Sequence, residues 1–346
     1  MEFTDTMKTL TRTAIVPKVY DTVLNGNVGV LRTMGNAKSW GSGYQKEIIF
    51  KYQKSTVGGL VGLGGTLDTD RSNTRSKMLF NPKRRHMPVV IDDIEGELNK
   101  GEEQVLMLLA TEMDSLAQDM LDTVGTDFYT GDGTGDEFDS LENAADDATN
   151  YATYGGKSRA TYTTLAGYLV EDIATLALSD MSTAWNTVKV GSSKPGLALA
   201  DVTSWTAYEG LLQPTIAANY SANGFPQVTR TGQVASRRAL GGELGFDSIF
   251  YRGTPIVEDE KCPSGEIKIL NENFFHFYGI NISKYEKINI TGKVEGPQNI
   301  PVPRGFNWSG MGNSNVQPGE VGHMYIIGNW ISEDPRRLGS MEDITG

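Results

Sequence analysis

One cysteine, Cys262, stands in the whole chain of 346 residues, so no disulfide can form within it. That fits folding in a reducing compartment. Histidine is scarce as well. His86, His276 and His323 stand apart, each beside aromatic, basic or glycine residues, and no H-E-x-x-H motif joins any two. No run of 18 apolar residues exists, so no transmembrane helix is expected. The segment from Met1 to Lys18 lacks the apolar core of a signal peptide. Basic residues are almost missing from one region. Between Asp92 and Asp147 there are 18 acidic residues and a single base, Lys100.

The net charge is −12, which argues against a basic nucleic-acid-binding surface as the main feature. The charge is also unevenly placed. Residues 1–91 carry 14 Lys+Arg and 6 Asp+Glu, and the remainder carries 17 and 37. Such a partition points to a charged partner, which could be a second copy of the same chain. Gly is abundant at 40 residues, with much Thr, Ser and Asn, which favours turns and strands over a helical bundle. The length suggests one large domain or two intertwined ones.

The longest helix signal runs from Asn99 to Val124. Val105, Leu109, Met113, Leu116, Met120 and Val124 recur with helical spacing on one face. Asn99 with Glu102 reads as an N-cap and capping box, and Gly125 as the C-terminal cap. The other face is acidic, with Glu103, Glu112, Asp114, Asp119 and Asp122. Packing on a sheet explains the apolar face; the acidic one calls for a cationic partner.

Residues 40–92 read as a basic β-hairpin. Lys46 to Tyr52 is one strand, and Lys77 to Phe80 followed by Arg84 to Ile91 is the return. Gly58, Gly59, Gly62, Gly64 and Gly65 lie between them. The Lys-Ser/Thr ending of a phosphate loop is absent and no helix follows, so a flexible tip is expected. Lys51, Lys54, Arg71, Arg75, Lys83, Arg84 and Arg85 make this segment basic. An isolated hairpin is marginally stable, so it should dock elsewhere. Residues 1–39 lack a compact apolar cluster and read as an arm.

Beyond the helix, GDGTGDEFDSLENAADD has the first calcium-loop spacings in Asp132, Thr134 and Asp136. Glu137 replaces the required Gly and Asn143 the final Glu, so a glycine-rich turn is the better reading. A helix is expected from Leu165 to Met181, and a buried strand from Lys194 to Asp201. Asp201 then caps a helix through Trp205, Tyr208 and Leu211. Residues 213–245 read as loop-rich. Asp247 to Glu258 reads as strand, glycine turn and strand, and further strands follow to about 295. Residues 296–319 read as a long loop, and Met324 to Ile331 as the last strand.

No catalytic constellation stands out. Glu320 and His323 are half of a metal site without the other half. Cys262 has acidic neighbours that oppose thiolate formation, so it reads as structural. The carboxylates of 92–147 are too many to single out an acid and a base. No enzyme activity, cofactor or metal is expected.

The basic hairpin, the long amphipathic helix, then GDGTG…DSLENAADD, YGGKSRATY and FYRGTPIVEDEKCPSGEIKILN together resemble tailed-bacteriophage major capsid proteins of the HK97 fold. The resemblance covers essentially the whole chain and rests on the order of elements. It implies an α+β fold with an N-terminal arm (1–39) and an extended E-loop (40–92). A P domain (93–159) would hold the spine helix (99–124), an A domain would span 160–280, and 281–346 would return mainly to the P domain. It implies self-assembly as hexamers and pentamers into an icosahedral head around double-stranded DNA, without sequence-specific binding. A separate scaffolding protein, a portal and a decoration protein would be partners, with no membrane involved. Assembly would take place in the host cytoplasm and the product would be the virion capsid. Contacts between subunits would join the hairpin bases named above to Glu112, Asp119 and Asp122 of the spine helix. No Asn and Glu match Lys51, Lys54 or Lys77 as an isopeptide site, so no crosslink is expected. An encapsulin-like compartment keeps the same fold; a β-rich hydrolase is the rival outside it.

Overall fold

The computed structural model describes residues 27–94, 102–222, 248–280, 286–289, 294–295, 305–313 and 318–345. The arm before Asn27, the Asn99 cap and most of the loop-rich 213–245 lie outside them. Helix α1 (Val28–Gly35) leads into the short β1 (Lys38–Ser39). Strands β2 (Lys46–Lys51) and β3 (Arg75–Phe80) form an antiparallel hairpin, and Pro82 separates β3 from β4 (Lys83–Asp92). Helix α2 (Glu102–Tyr129) follows, then the short α3 (Leu141–Ala145), whose first turn is capped by Ser140 Oγ accepting from the Asn143 amide at 3.1 Å. β5 (Thr153–Tyr154) and β6 (Lys157–Ser158) turn tightly at Gly155-Gly156, both in the left-handed region that glycine favours.

The next part alternates. It comprises β7 (Tyr168–Val170), α4 (Leu178–Val188), β8 (Leu197–Ala200), α5 (Val202–Ala222), β9 (Ser248–Tyr251), β10 (Thr254–Glu258) and β11 (Ile267–Leu270). The chain then runs through β12 (Phe275–Gly279), β13 (Glu286–Asn289), β14 (Val294–Glu295), β15 (Gly305–Asn313), β16 (Gly319–Ser332) and β17 (Gly339–Met341).

Two sheets organise these elements. The first has the order β1-β12-β16-β15-β13-β14, with β4 also paired to β16. β12 and β15 follow one another along one edge of β16, and β4 takes the other. The second has the order β7-β17-β11-β8-β10-β9, with α4 and α5 packed against it. β8 and β11 are buried throughout, which suits the small and aliphatic sequence Leu197-Ala198-Leu199-Ala200.

Helix α2 lies on the first sheet. Among its described side chains Ala117, Met120, Leu121, Val124, Phe128 and Tyr129 are buried, largely the face that the spacing predicts. Phe128 meets Phe275 at 5.9 Å and Trp330 at 5.7 Å between ring centroids, and Phe138 meets Trp330 at 5.2 Å. Full burial of an aliphatic or aromatic side chain contributes about 1.5–3 kcal/mol, so this helix is held by its apolar face. Among the described residues no helix is long and apolar enough to cross a membrane.

Four expectations are corrected. Helix α2 does not stop at Gly125 but runs to Tyr129. Gly125 is there for close packing: a Cβ at this position would sit 2.6 Å from Asn27 Oδ1. The stretch expected as a helix from Leu165 is instead a 3-10 turn (Thr163–Leu165) and β7, and α4 begins at Leu178. Asp172 and Ala174 have φ of 58° and 50°, which no right-handed helix tolerates. The stretch 296–319 holds β15, whose register shifts between Trp308 and Met311 around Gly310 at φ 78°. Finally, β4 does not continue the hairpin; it pairs along β16 from Lys83↔Gly328 to Asp92↔Gly319.

Candidate assembly surfaces

The hairpin is anchored at one end and bare at the other. Phe50, Met78 and Phe80 are buried. Tyr162 packs edge-on against Phe50 at 5.5 Å and Tyr52 at 5.1 Å, and Tyr154 against Phe80 at 5.3 Å. The Leu79 amide donates to the Gly155 carbonyl at 3.0 Å. Gly155 permits this approach, since a Cβ there would lie 2.6 Å from that of Met78. Beyond Tyr52 and before Thr74 the backbone has no regular structure. Leu60 and Leu63 at 108% and 111% relative exposure, and Leu67 at 74%, face solvent within one loop. Clustered apolar exposure of this kind marks an interaction surface. The aliphatics interleaved with Gly58 to Gly65 were the signal in the sequence, where the glycines alone suggested mere flexibility.

The seven bases split into two groups. Lys51, Lys54, Arg71 and Arg75 are exposed on the hairpin, with no ion pair to a described residue. Lys83, Arg84 and Arg85 stand on β4 and are engaged within their own chain. Lys83 Nζ donates to the Gly133 carbonyl at 3.2 Å and to that of Gly135. Arg84 lies 5.5 Å over the Tyr325 ring, and Arg85 pairs with Asp127. Burial pushes the Asp127 carboxyl up, against the pull of Arg85. Within the chain these three fasten β4 to the turn after α2, to β16 and to α2 itself.

On α2, Glu112 and Asp119 are exposed, whereas Asp122 is paired with Lys261 at 2.5 Å. Of the three acids expected to face a partner, two are free to do so.

Behind these surfaces lies a polar interior that the sequence did not reveal. Arg159 is fully buried; it donates to Asp146 at 3.3 Å and to the Leu165 carbonyl at 3.1 Å. Lys268 is buried between Glu266 at 2.6 Å and Glu342 at 3.0 Å. Burial alone would lower its pKa, but the two carboxylates carry it above the usual lysine value. Asp139 accepts from Asn329 Nδ2 at 2.6 Å beneath the glycine turn, and burial pushes its pKa up to about 6. Cys262 is buried and its thiol is pushed well up by desolvation, so it is held neutral, as its acidic neighbours suggested.

No family model matches the chain, and no curated protein matches it by sequence. Solved structures do match. The capsid asymmetric unit of cyanophage A-1(L) superposes with a TM-score of 0.68 at 15% identity, covering 100% of each chain. The chain has the fold of a capsid shell subunit. The holo-SrpI encapsulin complex of Synechococcus elongatus PCC 7942 gives a TM-score of 0.55 at 11% identity, over 99% of this chain and 95% of that one. The capsid of cyanophage P-SCSP1u gives 0.52 at 11% identity, over 98% and 94%. The mixed α+β architecture is thus shared from end to end with shells, at identities where sequence comparison is silent.

Proposed function

We propose that the chain is a major capsid protein that self-assembles into an icosahedral head around double-stranded DNA, with a structural rather than a catalytic role. The observation that carries this reading is the match to the cyanophage A-1(L) capsid over the full length of both chains. The bare apolar hairpin supports it, because a monomer leaves Leu60, Leu63 and Leu67 in water. In this reading the β2–β3 hairpin is the E-loop. The first sheet with α2 is the P domain, and the second sheet with α4 and α5 is the A domain. β17 then belongs to the A domain, not to a P-domain return, because it pairs with β7 and β11.

Hexamers and pentamers would be the building units, and a separate scaffolding protein, a portal and a decoration protein would complete the head in the host cytoplasm. Lys51, Lys54, Arg71 and Arg75 would meet Glu112 and Asp119 of a neighbouring copy, with the apolar tip as the second part of the contact. Each exposed ion pair contributes only ~0–1 kcal/mol, so repetition around the shell gives the term its weight.

The encapsulin likeness favours a second reading, a compartment of the same fold loaded with protein. Negative-stain imaging of purified particles, followed by nuclease treatment and extraction, separates the two. Closed shells with protected double-stranded DNA are expected. Shells holding only protein would favour the compartment, and a chain that stays monomeric with scaffold present would overturn both.

A further inference from the structure

We propose that His86 and His323 form a two-imidazole site for a borderline divalent cation of the zinc class. The chain has only three histidines, and the fold brings two of them together from distant parts of the sequence. They stand on neighbouring antiparallel strands. His86 faces Tyr325 across the β4–β16 pair and His323 faces Pro88, so the two rings are diagonal neighbours. Their centroids are 5.9 Å apart with the planes inclined at 62°. Two imidazoles that share one ion through nitrogens at ~2.1 Å place their centroids roughly 5–6 Å apart, for angles from tetrahedral upward.

The ring nitrogens are available. Neither imidazole hydrogen-bonds to a described residue, and His323 Nδ1 is buried without a partner. The third histidine has one ring nitrogen engaged: His276 Nε2 lies 3.0 Å from the Asn273 carbonyl, while its Nδ1 is buried without a described partner. A structural imidazole typically engages a ring nitrogen in that way, and an orphaned buried nitrogen needs an explanation. A metal ion supplies one. His86 is exposed and His323 partly so, which leaves a path from solvent.

Tyr325 holds the pair in place, its ring 6.2 Å from that of His86 and 5.8 Å from that of His323. Arg84 lies 5.5 Å over the same tyrosine and is the charge that opposes a cation here. Among the described residues no three His, Cys, Asp or Glu side chains gather as a metal cluster. Water, or a donor from outside the described residues, completes the coordination. Neutral imidazole suits zinc, copper and nickel, whereas magnesium and calcium prefer oxygen. The ion fastens β4, the strand that leaves the hairpin, to the central strand β16. The site stands whether or not the chain forms a shell.

The test uses the full chain without an affinity tag. Zinc is titrated by calorimetry at pH 7.5, and copper(II) is added in parallel for electron paramagnetic resonance. One ion per chain and a two-nitrogen hyperfine pattern are expected. His86→Asn and His323→Asn should each weaken binding by about ten-fold or more, which is ~1.4 kcal/mol or more. Unchanged binding in the double variant would overturn the site. If a variant fails to fold, the unmodified chain decides alone: a hyperfine pattern from one nitrogen or none would overturn it too.

Discussion

Arg159 and Asp146 are both withdrawn from water, with Nη1 3.3 Å from the carboxylate, yet they are not equally supported. Asp146 also accepts from the backbone amides of Ala148, Asn150 and Tyr151 at 2.7, 3.0 and 3.1 Å. Arg159 otherwise has only carbonyl partners, from Asn143, Tyr151 and Leu165, besides lying 5.3 Å over the Tyr154 ring.

The asymmetry sets an order of effects. Asp146→Ala leaves a buried guanidinium without a counter-ion and should cost about 3–5 kcal/mol. Arg159→Met leaves a carboxylate that still has three amide donors and should cost less, about 1–3 kcal/mol. Denaturant unfolding of the two variant subunits checks the ranking. The reverse order would mean that the backbone amides do not carry the Asp146 charge.

Asp139 gives a pH dependence. Its carboxyl is raised from the usual carboxylate range to about 6 by burial, so the folded chain binds this proton more tightly than the unfolded chain. The stabilisation from that proton is fully present below about pH 4 and is lost as pH rises through about 6. Across that window wild type should therefore gain on Asp139→Asn by up to about 3 kcal/mol as pH falls. Unfolding midpoints of both proteins at pH 4.5 and 7.5 measure the difference. No change in the gap between them would mean that Asp139 titrates normally.

The two groups of bases should respond differently to charge reversal. Glu at Lys51, Lys54, Arg71 and Arg75 together should slow assembly, most at low salt, and leave subunit unfolding within about 0.5 kcal/mol of wild type. Glu at Lys83, Arg84 and Arg85 should destabilise the subunit itself, because the partners lost are its own Gly133, Tyr325 and Asp127. Light scattering for assembly and denaturant unfolding for stability separate the outcomes. Leu60→Ser with Leu63→Ser should impair assembly regardless of salt. Normal assembly of that variant would remove the tip from the contact.

Gly125 offers a double-variant test. Alanine in a helix interior normally stabilises by about 1 kcal/mol over glycine. Here its Cβ would press on Asn27 Oδ1 at 2.6 Å, so Gly125→Ala should destabilise. Adding Asn27→Ala removes the obstacle and should recover part of the loss. A coupling near zero in the unfolding cycle would show that the contact is soft.

The readable parts of the chain were those with local causes. The buried face of α2 follows from its period, and the turn between β9 and β10 from Arg252-Gly253, both left-handed. Asp201 does cap α5, accepting from the Thr203 and Ser204 amides at 3.1 and 2.9 Å. The parts that were hidden depend on distant partners. β15 carries a bulge and glycines that erase its alternation. Nothing local distinguishes Arg159 from an exposed arginine, or Arg85 from Arg75. The approach of His86 and His323 follows only from the register of β4 on β16, which no neighbouring residue sets.

That register has a consequence for the order of events during synthesis. β4 leaves the ribosome well before β16, whose residues lie roughly 230 positions further on, a wait of about 10–50 s at ordinary translation rates. Until then the root of the hairpin has no sheet to join. Lys83, Arg84 and Arg85 then have α2 and its following turn within reach, but not Tyr325. The platform that presents the hairpin is therefore finished only when its middle plank arrives.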